Sequence, residues 1–155
     1  MAEERSRTPR LVADVMLGRL AKWLRLLGYD TIYSNSADDA TLLRIAQAED
    51  RILLTRDRAL SRQRGVRSLW IESQELASQV RQVRAFVGTS PDGQLTRCAV
   101  CNVRLEWVAK ADVARHVPLY VFQTQDEFRR CGQCGRIFWA ATHVENMQAI
   151  LDDLP

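Results

Sequence analysis

Two short, unbroken apolar runs in the first half of the chain each end on a polar step that carries an aspartate. Leu11-Val12-Ala13 runs into Asp14, and Ile52-Leu53-Leu54 runs into Thr55-Arg56-Asp57. Continuous apolar runs of this length, without alternation, predict strands buried on both faces, as in a parallel sheet, with the first strand expected over residues 10–16. After the first run, Leu17, Leu20, Ala21, Leu24 and Leu27 recur at helical spacing, with Arg19, Lys22 and Arg25 on the other faces. Gly28 is placed to stop that helix, because a C′ position favours a left-handed backbone. Residues 30–34 predict a second strand, and Asp38 is the expected N-cap of a second helix with Leu42, Leu43, Ile45 and Ala46 facing inward. Arg58 to Gly65 reads as a basic connection holding one helical turn, and Val66 to Ile71 as a fourth strand. Ser73 is the expected N-cap of a helix carrying Leu76, Val80, Val83 and Val87. This succession predicts an α/β fold, a mainly parallel sheet covered by helices and joined by right-handed crossovers. The expected strand order is 2-1-3-4, since it puts Asp14 and Asp57 on adjacent strands at the switch point.

Residues 88–93 (Gly-Thr-Ser-Pro-Asp-Gly) have linker composition. They separate an N-terminal unit, residues 10–90, from a C-terminal one, residues 91–155; residues 1–9 read as a disordered start. The second unit holds Cys98-Ala-Val-Cys101 and Cys131-Gly-Gln-Cys134, two CxxC pairs separated by the 29 residues 102–130. Paired knuckles of this kind wrap one tetrahedral Zn²⁺ through four thiolates. With four protein ligands the site is closed, so the zinc is expected to be structural. Strand-like segments at Arg104–Val108, Leu119–Gln123 and Arg136–Trp139 complete the expectation of a small four-cysteine zinc ribbon. Residues Thr142 to Leu154 read as a closing helix that packs back on the first unit. Trp107, Phe138 and Trp139 could stack on bases, but packing the ribbon's small core is the expected role.

Composition is that of an ordinary globular protein, with 46% hydrophobic and 26% charged residues. No apolar run approaches membrane-spanning length, and the charged first ten residues, which lack an apolar stretch, are not expected to act as a secretory signal. A cytoplasmic location is expected, where clustered cysteines are metal ligands more often than disulfides. Charge is unevenly placed. Residues 1–97 carry 16 basic and 12 acidic side chains, whereas residues 98–155 carry 6 and 7. Five arginines (56, 58, 62, 64 and 67) fall within twelve positions beside a single acid, Asp57. Such a cluster is either a solvated face or, next to an acidic edge, a surface for a polyanion such as a nucleic acid.

Asp14, Asp57 and one of Asp38 and Asp39 are the candidate ligands for Mg²⁺ or Mn²⁺, hard cations that take oxygen donors. The plainer alternative makes these aspartates helix caps and turn residues. Carboxylate-held divalent ions suit phosphodiester hydrolysis, and Arg19, Arg56 or Arg58 could clamp the phosphate. His143 follows the ribbon and either faces the substrate or caps the closing helix. No Walker loop, GxGxxG or Ser/His/Asp arrangement is present, which argues against NTP hydrolysis, dinucleotide cofactors and acyl transfer.

Several segments together resemble a known family. They are Leu11–Asp14, Met16–Asp30, Asp39–Ala46, Arg51–Asp57 and the trailing CxxC-Asn, CxxCG, Trp and Thr-His elements. The chain is similar, from about residue 10 to residue 150, to the PIN-like ribonuclease domain with a C-terminal zinc ribbon. That domain stands at the C-terminus of the mutator class of exonucleases and as separate prokaryotic proteins. The resemblance implies a compact PIN-like fold, divalent-metal-dependent RNA cleavage and a structural zinc on Cys98, Cys101, Cys131 and Cys134. It assigns Asp14, Asp39 and Asp57 as the acids of the site. Many PIN-like relatives have a further acid where this chain has Ala59, which leaves a site that holds one metal firmly and a second weakly, or one that recruits Asp38. The same residues also admit a non-catalytic RNA- or protein-binding module, and a growth-inhibiting ribonuclease with a neutralising protein partner.

Overall fold

A computed structural model describes residues 9–141, 145–147 and 149. Strand β1 (Leu11–Ala13) passes through a 3-10 turn at Val15–Leu17 into helix α1 (Gly18–Leu26). Strand β2 (Thr31–Tyr33), helix α2 (Asp39–Ala48), strand β3 (Ile52–Thr55), the single-turn helix α3 (Arg58–Ser61), strand β4 (Ser68–Trp70) and helix α4 (Leu76–Val87) follow. The four strands form one parallel sheet in the order β2-β1-β3-β4, as expected.

Strand residues alternate between two cores. Leu11, Ala13, Ile52 and Leu54 pack with Leu17, Leu20, Leu24, Val80 and Val83 under α1 and α4. Val12 and Leu53 pack on the opposite face with Leu42, Ala46 and Leu60 under α2 and α3. The sheet is therefore covered on both sides, which is why its central strands lack polar alternation. Met147, in the helical stretch Glu145–Met147, is buried in the first of these cores. Met147 thus packs back on the parallel sheet, and most of the predicted closing helix lies outside the described residues.

The second sheet is antiparallel, β5 (Leu105–Val108), β6 (Phe128–Cys131) and β7 (Ile137–Phe138), with helices α5 (Lys110–Val113) and α6 (Leu119–Thr124) between its first two strands. Here the structure corrects the sequence reading. Leu119–Gln123 is helical, not a strand; only Val121 of this helix is fully buried, while Leu119 and Tyr120 are exposed. The middle strand is Phe128–Cys131, whose Arg129-Arg130 centre hides it from an apolar pattern. Ser73 does not cap α4. That helix starts after Glu75, and the Ser73 hydroxyl accepts from the Glu75 amide at 3.0 Å, making a local turn instead.

Residues 88–95 lie tightly along the end of α1 despite their linker composition. The Leu95 amide donates to the Leu26 carbonyl at 2.6 Å, and the Ser90 hydroxyl to the Gly28 carbonyl at 2.9 Å. Gly28 has φ +96°, and a Cβ there would stand 2.3 Å from the Gly93 carbonyl oxygen. Turn geometry and close approach both require glycine at this corner.

Candidate functional site

The carboxyl ends of β1 and β3 bring Asp14 and Asp57 to one edge. The Asp14 amide still belongs to the sheet, donating to the Leu54 carbonyl at 2.9 Å. Its carboxylate is 7% exposed; one oxygen accepts from the Val15 amide at 2.6 Å, the other from the Thr55 hydroxyl at 2.8 Å. The same hydroxyl accepts from the Asp57 amide at 2.9 Å, so Thr55 joins the two acids. The Asp57 carboxylate caps α3 through the Leu60 amide at 3.1 Å and is exposed. Asp38 caps α2 through the Thr41 amide at 2.8 Å, and hydrogen bonding with Thr41 holds its pKa below the usual carboxylate range. Asp39, the first residue of α2, is exposed.

Three of the four acids are thus caps, as the plainer reading had it. Capping does not exhaust them, because each carboxylate oxygen has a second lone pair. The arrangement is open: among the described residues, the four cysteines are the one group of three or more metal-ligating side chains gathered together. The aspartates share an edge without forming a closed cage. Ala59 lies exposed in α3 and adds no carboxylate.

Basic groups border this edge. The Arg58 guanidinium lies over the Trp70 ring, 4.2 Å from its centroid, and the Trp70 indole N–H donates to the Arg56 carbonyl at 3.0 Å. Trp70 therefore organises the β3–α3 turn and one of its cations, a role its place in an apolar strand did not announce. Arg56 reaches the Glu72 carbonyl at 3.4 Å. Arg19 is exposed on the first turn of α1. His143 lies outside the described residues.

The cysteine site meets a geometric test for zinc. Zinc–sulfur bonds of about 2.3 Å place tetrahedral sulfurs about 3.8 Å apart. The Cys98 and Cys134 sulfurs are 3.8 Å apart, and all four lie within 4.8 Å of one another as free thiols. The Cys101 amide donates to the Cys98 sulfur and the Cys134 amide to the Cys131 sulfur, at 3.3 and 3.4 Å, the inward-turned knuckle arrangement. Hydrogen bonds from the Arg136 backbone and guanidinium pull the Cys134 thiol down to about 6, whereas burial raises Cys98 and, with the neighbouring thiols, pushes Cys101 up to about 12, so Cys134 is the readiest of these three to offer the thiolate that a metal requires. The cluster is consistent with a structural zinc.

The first knuckle is bolted to the parallel sheet. Arg25 on α1 donates to the carbonyls of Ala99 and Val100, at 3.0 and 3.2 Å, and to that of Thr31 at 2.8 Å. Asn102, with φ +65°, accepts from the Thr31 amide at 3.0 Å and donates to Asp30 at 2.7 Å. Asp30 also pairs with Arg51 at 2.8 Å. Burial works against the Asp30 carboxylate, but hydrogen bonds from Arg51 and Asn102 outweigh it and hold its pKa below the ordinary value.

The ribbon aromatics divide. Trp139 packs edge-on to Phe128, with centroids 6.4 Å apart, and Phe138 packs against the cluster of Leu26, Leu95 and Ala99. Trp107, expected in the core, is 65% exposed.

Fold and sites together define an α/β protein whose parallel sheet presents an acidic carboxyl edge and carries a four-cysteine antiparallel unit. The chain belongs to the Mut7-C RNase domain family, whose model matches residues 9–151. No curated protein and no solved structure matches it. Among the described residues, no helix is long and apolar enough to cross a membrane.

Proposed function

We propose that this chain hydrolyses RNA phosphodiester bonds at the carboxyl edge of its parallel sheet. Asp14, Asp39 and Asp57 would hold Mg²⁺ or Mn²⁺, with Asp38 in reserve for a second ion. The observation that supports this most is the Thr55 bridge, which ties the Asp14 carboxylate to the Asp57 backbone beyond the ends of adjacent parallel strands, where α/β sheets bind their ligands. Membership of an RNase domain family supports RNA as the substrate. A divalent ion held there supplies a more acidic water and neutralises charge on the phosphoryl group. The protein's own part is positional. Thr55 orients Asp14, the cap to Leu60 orients Asp57, and the Arg58 guanidinium, laid on Trp70, offers N–H donors to a phosphate oxygen. Residues 10–90 form the nuclease unit in this reading, and residues 91–155 a unit organised by zinc on the four cysteines.

The test is cleavage of a mixed panel of labelled RNAs by zinc-loaded protein, with Mn²⁺, with Mg²⁺ and with neither, beside Asp57→Asn. Asparagine caps helices about as well as aspartate, so this variant removes the charge and keeps the fold. Cleavage that needs the added ion and disappears in Asp57→Asn is the expected result. Undiminished cleavage by the variant sinks the assignment. The openness of the acidic edge favours one alternative, an RNA-binding module without catalysis. It predicts salt-sensitive RNA binding and no cleavage under any ion.

A further inference from the structure

Trp107, Arg129 and Phe138 form one cross-strand row on the antiparallel sheet, because Trp107 pairs with Arg129 and Arg129 with Phe138. The row starts inside the molecule, where Phe138 packs on Leu26, Leu95 and Ala99. It ends in solvent at Trp107, 65% exposed, although tryptophan is on average a well-buried residue. The indole is nevertheless held. The Arg129 guanidinium lies 4.3 Å from its ring centroid and is itself tied to the carbonyls of Gln94, at 3.0 Å, and Leu95. Both of those bonds use Nη1, which leaves the Nε and Nη2 donors of a rigidly placed cation available.

We propose that Trp107 and Arg129 form a stacking platform for an unpaired nucleobase of single-stranded RNA. The base would lie on the open face of the indole, and the free guanidinium donors would take its phosphate. The cation behind the ring suits a flat π-face that carries negative charge. An apolar side chain from a protein partner would leave those donors unmatched and is the poorer fit. The site is separate from the acidic edge and from the thiols. The proposal rests on the ribonuclease reading for the identity of its ligand, not for its geometry.

The test uses the full zinc-loaded chain without added Mg²⁺ or Mn²⁺. Its affinity is measured for a labelled single strand of roughly 12 nucleotides and for the same strand in a blunt duplex. Stacking on an aromatic side chain predicts that Trp107→Ala weakens single-strand binding about tenfold and leaves duplex binding unchanged. Trp107→Phe, which keeps a π-face, should retain most of the affinity, and Arg129→Ala should lose it with Trp107→Ala. Unchanged single-strand binding by Trp107→Ala at full zinc content overturns the platform, and so does an equal loss for single strand and duplex. Trp107-dependent binding by a protein that cleaves nothing with Mn²⁺ would keep the platform and remove the ribonuclease. Cleavage indifferent to Trp107, with single-strand affinity also unchanged, would do the reverse.

Discussion

The Thr55 hydroxyl donates to Oδ2 of Asp14 across 2.8 Å in a fully buried position. It also receives the Asp57 amide, so one oxygen sets the relative placement of two acids that are 43 positions apart (14 and 57) in the chain. Thr55→Val keeps the β-branched shape and removes both bonds. Leaving a buried carboxylate oxygen and an amide short of partners should cost about 1–3 kcal/mol, measured by denaturant unfolding. If the edge is catalytic, misplacing Asp14 should also lower kcat by about 10- to 100-fold. Thr55→Ser should restore both. A Thr55→Val protein with wild-type kcat would separate the bridge from the chemistry.

Trp70 makes a second prediction about the same edge. Its ring supports Arg58 and its N–H holds the Arg56 carbonyl. A cation–π contact at a partly exposed position is worth about 0.5–1 kcal/mol, so Trp70→Leu should raise KM for RNA about two- to fivefold. An unaltered KM would mean that Arg58 does not meet the substrate.

Much of this was readable in the chain because buried parallel strands are written as apolar runs. Leu11–Ala13 and Ile52–Leu54 gave the central strands, and their trailing aspartates gave the edge. Helix chemistry was equally local: Asp38 caps α2 and Gly28 closes α1 with a positive φ, as their residue types imply. What stayed hidden depends on partners distant in sequence. Thr55 looks like any strand-end threonine until Asp14 is beside it. The Arg129-Arg130 strand is polar because Arg129 is spent on carbonyls and an indole, so alternation could not reveal it. Leu119–Gln123 misleads for the opposite reason, as Leu119 and Tyr120 are exposed on a helix that buries Val121 and do not line a strand.

The four thiols carry a prediction about metal content. One zinc per chain is expected, falling sharply in Cys131→Ser. Structural zinc contributes on the order of 10 kcal/mol to small metal-folded units. Stripping it should therefore unfold the antiparallel sheet, read by loss of near-ultraviolet signal from Trp139 against Phe128. The parallel sheet has its own two cores and should keep its helical far-ultraviolet signal. Complete unfolding on zinc removal would show that the halves cannot stand apart.

The clamp between the halves should make stability pH-dependent through Asp30. Its folded pKa is depressed, mainly because hydrogen bonds from Arg51 and Asn102 overcome the burial that opposes its charge. A depressed carboxyl contributes stability that is fully present above its unfolded pKa of about 3.9 and is lost as pH falls through the lower folded value. Asp30→Asn keeps an oxygen acceptor for Asn102 and Arg51 but not the charge. Near neutral pH it should melt below the wild type, and the gap should narrow below about pH 4. Both proteins carry the same four cysteines, so zinc loss in acid cancels in the difference between their melting curves. A gap that stays constant to the acid limit would show that Asp30 acts through packing alone. Asn102→Ala tests the other end of the clamp. It strands the Thr31 amide, part of a fully buried residue, and removes one of the hydrogen bonds that depress Asp30, so it should cost about 1–3 kcal/mol near neutral pH and less once Asp30 is protonated in acid.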